Sequence, residues 1–304
     1  MAVDPEIQIF LEQLSAIGFP PLDSLPAPEL REYMRAMAAA GPKGPDMARV
    51  EDFSAGGVPV RLYVPQAPAR AVINYMHGGG WTIGSIAEAD TFSRTLAERL
   101  GCAVVSVDYR HGPEAPFPGA VDDCFTAARW TADNIGDLLG RTLPLIVCGD
   151  SAGGNLSAVI SILARDQGGP AIAGQILLNP STDGDIDAQD LAAFESPFLT
   201  KAEIAWFFDQ YVPDRAMRTD PRFAPIHAES HAGLPPAIII TAENDLLRAQ
   251  AEDYGLKLAQ AGVTTIIKRY PGAIHSFLAM NSAQGLTAEA FRDIDCFITA
   301  FVAP

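Results

Sequence analysis

The hydrophobic rhythm of the chain changes twice. At the start, Ile7, Phe10, Leu11, Leu14 and Ile17 recur at helical spacing, which predicts a helix with one apolar face. The stretch PPLDSLPAP interrupts it, and ELREYMRAMAAA resumes a helix until Gly41-Pro42. Then the period drops to two. Val58, Val60, Leu62 and Val64 alternate with Pro59, Arg61 and Tyr63, as in a half-buried strand. Beyond it come short, continuous apolar runs: AVINYM (71–76), CAVVSV (102–107), PLIVC (144–148), GQILL (174–178), AIIIT (237–241) and TTIIKRY (264–270). Helix candidates lie between and after them, near 88–100, 120–134, 151–165, 247–260 and 287–302. Unbroken apolar strands alternating with helices predict an α/β protein whose parallel sheet is covered on both faces. In such sheets the working site lies outside the carboxyl ends of the strands.

One region breaks the alternation. Residues 181–222 include DLAAFESPFLTKAEIAWFFDQYV, aromatic-rich and helical in pattern, where a short connection would suffice. A long insertion at the loop end of a sheet is often a lid. The N-terminal helices are placed to join it.

Composition narrows the partners. With 37 acidic against 21 basic residues the net charge is −16, which repels phosphate backbones and anionic lipid, so neither nucleic acid nor membrane is an expected partner. No apolar stretch reaches the roughly 18 residues of a membrane span. The N-terminus lacks the basic-then-apolar pattern of a secretory signal. Cys102, Cys124, Cys148 and Cys296 form no CxxC or other metal spacing. A reduced, cytoplasmic location is the expectation.

The chemistry centres on GDSAG, in which Ser151 stands between Gly149 and Gly153. The apolar run before it and the helical spacing of Leu156, Val159, Ile160 and Leu163 after it put Ser151 on a strand-to-helix turn. Such a turn exposes the hydroxyl above the sheet, and its neighbours must be small because strand and helix pass close together. Serine is a weak nucleophile and needs a base. Of the five histidines, His275 follows the last apolar run, and Asp245 follows the run before that, so both project from the same rim as Ser151. Glu243 competes with Asp245 as the orienting acid, and Asp245 has the alternative role of capping the next helix. His77-Gly78-Gly79-Gly80-Trp81 follows the strand ending at Met76. Its glycines let backbone N–H groups turn inward and, with the N–H of Ala152, can form an oxyanion hole; a flexible glycine turn is the alternative, and a G-x-G-x-x-G phosphate loop fails because Ile83 occupies its last position. His77 reads as a brace for that loop. The acidic stretch DGDIDAQD begins like a calcium loop at Asp183, Asp185 and Asp187, but Ala188 and Phe194 occupy its glycine and glutamate positions, so a solvated loop is expected.

In order along the chain, HGGGW, DYRHGPEAPFPGAVDDC, GDSAGGN and IHSFL resemble segments of the hormone-sensitive lipase family of α/β-hydrolase esterases, from about residue 47 onward. The resemblance implies an α/β-hydrolase fold: a mostly parallel eight-stranded sheet at 46–180 and 223–304, with a helical cap from 1–45 and 181–222. It implies Ser151 as nucleophile, His275 as base and Asp245 as orienting acid. The N–H groups of Gly79, Gly80 and Ala152, with Gly78 in the same loop, would hold the oxyanion. It implies small short-chain esters as substrates, no metal or organic cofactor, and suggests a homodimer. Trp81, Phe194, Phe198, Trp206, Phe207 and Phe208 are candidates for the pocket wall. The chain departs from the family pattern at Leu246, Ala249, His111-Gly112 and Ser85. Amide, carbamate or lactone hydrolysis uses the same residues, and a non-catalytic binding protein would be expected to lack one of them.

Overall fold

Strands that are apolar on every residue must be covered on both sides, and helices supply that cover here. The computed structural model describes residues 2–187 and 195–302. Eight strands are joined in one sheet: β1 (Arg49–Ala55), β2 (Val58–Val64), β3 (Val72–Met76), β4 (Ala103–Val107), β5 (Leu145–Asp150), β6 (Ile172–Leu178), β7 (Ala237–Asn244) and β8 (Thr265–Ile274). Their order is β1-β2-β4-β3-β5-β6-β7-β8. The first two pairings, β1 with β2 and β2 with β4, are antiparallel, and all later ones are parallel.

β1 is the strand that the hydrophobic pattern does not predict. It lies at the sheet edge, where only Phe53 and Ala55 have an apolar side chain turned inward, so no alternation is written into RVEDFSA. It is held by a tight hairpin through Gly56-Gly57 onto β2, with Ala55 opposite Val58.

Helices α4 (Gly119–Leu139), α5 (Ala152–Gln167) and α7 (Arg248–Gln260) lie on one side of the sheet. On the other, α3 (Asp90–Leu100) packs with α9 (Gln284–Phe301), which follows a single turn, α8 (Phe277–Met280). Periodicity explains the pairing: Phe92, Leu96 and Leu100 of α3 and Ala290, Ile294, Phe297 and Ile298 of α9 form one buried stripe each. No described helix is long and apolar enough to cross a membrane.

Three helices stand over the carboxyl end of the sheet or beside it: α1 (Pro5–Ala16), α2 (Ala27–Ala40) and α6 (Lys201–Tyr211). α6 starts with a reciprocal cap. Thr200 Oγ1 accepts the Glu203 N–H at 3.2 Å, and Glu203 Oε2 accepts the Thr200 N–H at 2.8 Å. The other oxygen of Glu203 accepts the Leu22 N–H at 2.8 Å, which ties the segment between α1 and α2 to α6. Arg31 of α2 donates to the carbonyls of Thr82 and Gly112 at 2.7 Å each, fixing α2 to the loops after β3 and β4. The insertion is thus helical over 201–211, with a 3₁₀ turn at Arg215–Thr219. Residues 188–194 lie outside the described residues, and with them Ala188 and Phe194, the two diagnostic positions of the calcium-like stretch. Asp183 accepts from His227 Nε2 at 3.1 Å.

Candidate active site

β5 ends at Asp150 and α5 begins at Ala152, leaving Ser151 alone at the turn with φ 55° and ψ −115°. That is a strained backbone for a residue with a side chain, and it lifts the hydroxyl clear of the sheet. The turn exists because both flanking residues lack a Cβ. A Cβ on Gly149 would come within 2.2 Å of the Gly153 backbone, and one on Gly153 within 1.9 Å of the Met76 carbonyl. The N–H of Ser151 is fixed by the Leu178 carbonyl at 2.8 Å.

The structure brings the three predicted side chains into one hydrogen-bonded row. Ser151 Oγ lies 2.9 Å from His275 Nε2, and His275 Nδ1 lies 2.8 Å from Asp245 Oδ2. A carboxylate only accepts, so Nδ1 carries the proton and Nε2 is left to accept from the serine. Asp245 follows β7 and His275 follows β8, as the apolar runs implied. Glu243, the competing carboxylate, accepts the Gly272 N–H at 2.8 Å. Asp245 also receives the Leu247 N–H at 2.9 Å and Asn179 Nδ2 at 3.1 Å. Burial alone would lower the pKa of His275, but the charge and hydrogen bond of Asp245, with help from Asp150, carry it above the ordinary imidazole value.

Above the serine, Gly79 and Gly80 adopt φ 113° and 56°, a region glycine enters without penalty. Their N–H groups have no acceptor among the described residues. Ala152 is the first residue of α5, whose leading N–H groups have no intrahelical partner. Gly78 sits beneath them: a Cβ there would lie 2.9 Å from Asp150 Oδ2. His77 is the brace the sequence suggested. Its Nδ1 is 2.7 Å from the Gly78 carbonyl, its ring stacks on Tyr109 at 4.4 Å, and burial holds its pKa below the usual value. His111 packs against the same ring and is pushed down to about 3 by burial and by His77.

Ser151 and His275 open into a cavity of about 260 Å³. Its roof combines Phe198, Phe207 and Phe208 from the insertion with Phe19, Leu22 and Met34 from the N-terminal part. Trp81 touches the cavity but is only 2% exposed, because its indole stacks flat on Tyr211 at 5.3 Å. Trp206 corrects the expectation made for it. It does not line the cavity; its ring stands edge-on behind Phe207 at 5.1 Å.

Three site residues carry no signal that was read from the sequence. Asn179 ends the apolar run of β6 at φ 44° and contacts Asp245. Asp150 and Ser276 flank Ser151 and His275, and the Ser276 hydroxyl donates to Asp150 Oδ2. Burial pushes Asp150 up to about 6, although His275 and Ser276 favour its charge. A polar residue directly beside Ser151 and beside His275, at the mouth of an apolar strand, is the available clue.

Comparison with known proteins agrees with this fold. The family described as the alpha/beta hydrolase fold matches residues 73–279. The chain is 38% identical to carboxylic ester hydrolase LipN of Mycobacterium tuberculosis, over 96% of this chain and 81% of that protein. It is 34% identical to an arylesterase of Saccharolobus solfataricus, over 91% and 93%. Among solved structures, a hyperthermophilic esterase from the archaeon Pyrobaculum calidifontis superposes with a TM-score of 0.86 at 35% identity, covering 98% of each chain. An alpha/beta hydrolase enzyme from the metagenome of Lake Arreo superposes at 0.88 with 35% identity, over 98% and 99%.

Proposed function

The chain belongs to the α/β-hydrolase-fold family, and we propose that it is a serine carboxylesterase of the hormone-sensitive lipase group acting on small, short-chain acyl esters. Carboxylic ester hydrolysis is its activity: named ester hydrolases are related to it over nearly its whole length. The observation that carries the mechanism is the row Ser151–His275–Asp245 opening into an apolar cavity.

His275 Nε2 takes the Ser151 proton as the hydroxyl oxygen attacks the ester carbonyl. Asp245 stabilises the imidazolium that forms and keeps the ring from rotating; Asn179 and the Leu247 N–H keep the carboxylate itself in place. The oxyanion is received by the N–H groups of Gly79, Gly80 and Ala152, each such donor typically being worth about 3–4 kcal/mol. His275 then protonates the departing alcohol. In the second half, water attacks the acyl-serine with His275 as base, and the acid is released.

Residues 1–45 and 181–222 act as the cap that roofs the ester. A cavity of about 260 Å³ lies below the usual range for drug-sized ligands, which favours short acyl groups. The test is hydrolysis of p-nitrophenyl acetate, butyrate, octanoate and palmitate by wild type and Ser151→Ala. Turnover should fall with chain length and vanish in the variant. Activity surviving in Ser151→Ala removes the assigned nucleophile, and a preference for palmitate removes the substrate class.

A further inference from the structure

The cavity wall is apolar over most of its extent, yet it includes a carboxylate that the hydrolytic chemistry does not use. Glu88 lines it beside Ala89 and Phe92, at the turn leading into α3. One oxygen is held: Ser85 Oγ donates to Oε1 at 3.0 Å and accepts the Glu88 N–H at 3.2 Å. The turn is anchored in its own right. Ile86 N–H donates to Asp108 Oδ1 at 3.1 Å, and Ala89 N–H to the Ser85 carbonyl at 3.0 Å. Among the described residues Oε2 has no hydrogen-bond partner, and no lysine or arginine lies within ion-pair distance of it. Asp150, the other carboxylate on the wall, receives Ser276. Burial raises the pKa of Glu88, with the Ser85 bond and the more distant charge of Arg35 only partly offsetting it. Glu88 is half-buried, so a ligand that fills the cavity would take solvent away from its free oxygen.

We infer that Glu88 is a specificity-determining residue: its unpaired oxygen selects esters that carry an ammonium group on the acyl or alcohol part. The inference rests on the ester-hydrolase reading above. An ammonium group brings both charge and an N–H donor to Oε2. A neutral alkyl group of the same shape covers that oxygen without pairing it, and an anionic group is repelled. Discrimination by a polar group that would otherwise be left unpaired is stronger than discrimination by shape alone.

The experiment compares isosteric substrates by pH-stat. On the alcohol side these are 2-(dimethylamino)ethyl butyrate and 3-methylbutyl butyrate; on the acyl side, ethyl 6-aminohexanoate and ethyl heptanoate. Wild type and Glu88→Gln are assayed on all four, since glutamine keeps the size and can still meet Ser85. For at least one pair, the cationic-to-neutral ratio of kcat/KM should fall by about five- to tenfold in the variant, with the neutral ester little changed. An unchanged ratio in both pairs overturns the inference, and so does an equal loss on both members, which would mark a structural role. Failure of wild type to hydrolyse any neutral ester overturns the ester reading itself, and this inference with it.

Discussion

Gly153→Ala tests the geometric claim on which the site depends. The added Cβ would stand 1.9 Å from the Met76 carbonyl oxygen and 2.6 Å from that of His77, both backbone atoms. Real Cβ contacts essentially never fall below 3.0 Å, so α5 must retreat from β3 by about 1.1 Å at the residue after the proposed Ala152 donor. A side chain cannot absorb this by changing rotamer, because no side chain is in the way. A misplacement of about 1 Å in a reacting constellation costs roughly a hundredfold in rate. Overpacking of a rigid core costs about 1–3 kcal/mol, or about 2–4 °C of melting temperature per kcal/mol. The assay is kcat/KM on p-nitrophenyl butyrate with a parallel thermal melt by circular dichroism. Gly136→Ala in α4 is the control, since its Cβ would meet nothing closer than 3.8 Å; it should be neutral or stabilising by up to about 1 kcal/mol. Gly153→Ala with activity within threefold of wild type (roughly 0.7 kcal/mol) and an unmoved melt would refute the reasoning.

Three further outcomes follow from the buried carboxylates. Asp150 is pushed up to about 6, above its ordinary 3.8, so the folded protein holds that proton more tightly than the unfolded chain. The contribution of this group to stability should therefore decline as pH rises from about 4 to 6, by on the order of 3 kcal/mol, and the difference between wild type and Asp150→Asn should carry that slope. Urea midpoints measured across this range check it, and parallel profiles for the two proteins would contradict it. Because the charge of Asp150 helps raise His275, the same variant should move the acid limb of kcat/KM to lower pH. Glu203→Ala removes the side-chain half of the α6 cap and the tether to Leu22, leaving the bond from its N–H to Thr200 Oγ1. It should cost about 1–2 kcal/mol and raise KM more than it lowers kcat, read from thermal melts and Michaelis curves.

Legibility in the sequence followed the physics of each element. The central strands were readable because burial on both faces demands unbroken apolar runs, and β3, β4 and β5 are buried at every residue. β1 was not, since an edge strand with one covered face and two apolar anchors has almost no pattern to read. Ser151, Asp245 and His275 were readable because each follows a strand, and the rim of a parallel sheet is where such residues converge. Asn179 follows a strand too, but an amide has no chemistry of its own to flag, and its meaning comes from Asp245, which is 66 residues away. Trp206 shows the limit on cap residues. An aromatic run on a helix says that some rings face inward, and only the packing of α6 decides that Phe207 does and Trp206 stands behind it.

The sheet order has a consequence for how reactivity arises during synthesis. Ser151 sits between β5 and α5, whereas its imidazole partner lies 124 residues further on, beyond β8. In the sheet, β6 and β7 stand between β5 and β8, and β8 pairs with β7. On the proposed roles, a nascent chain extending only through α5 carries an ordinary alcohol, because serine without its base is a poor nucleophile. Acylating power would then switch on late, with docking of the β8 edge. A ribosome-bound fragment lacking β8 should not react with a fluorophosphonate probe that labels the finished enzyme.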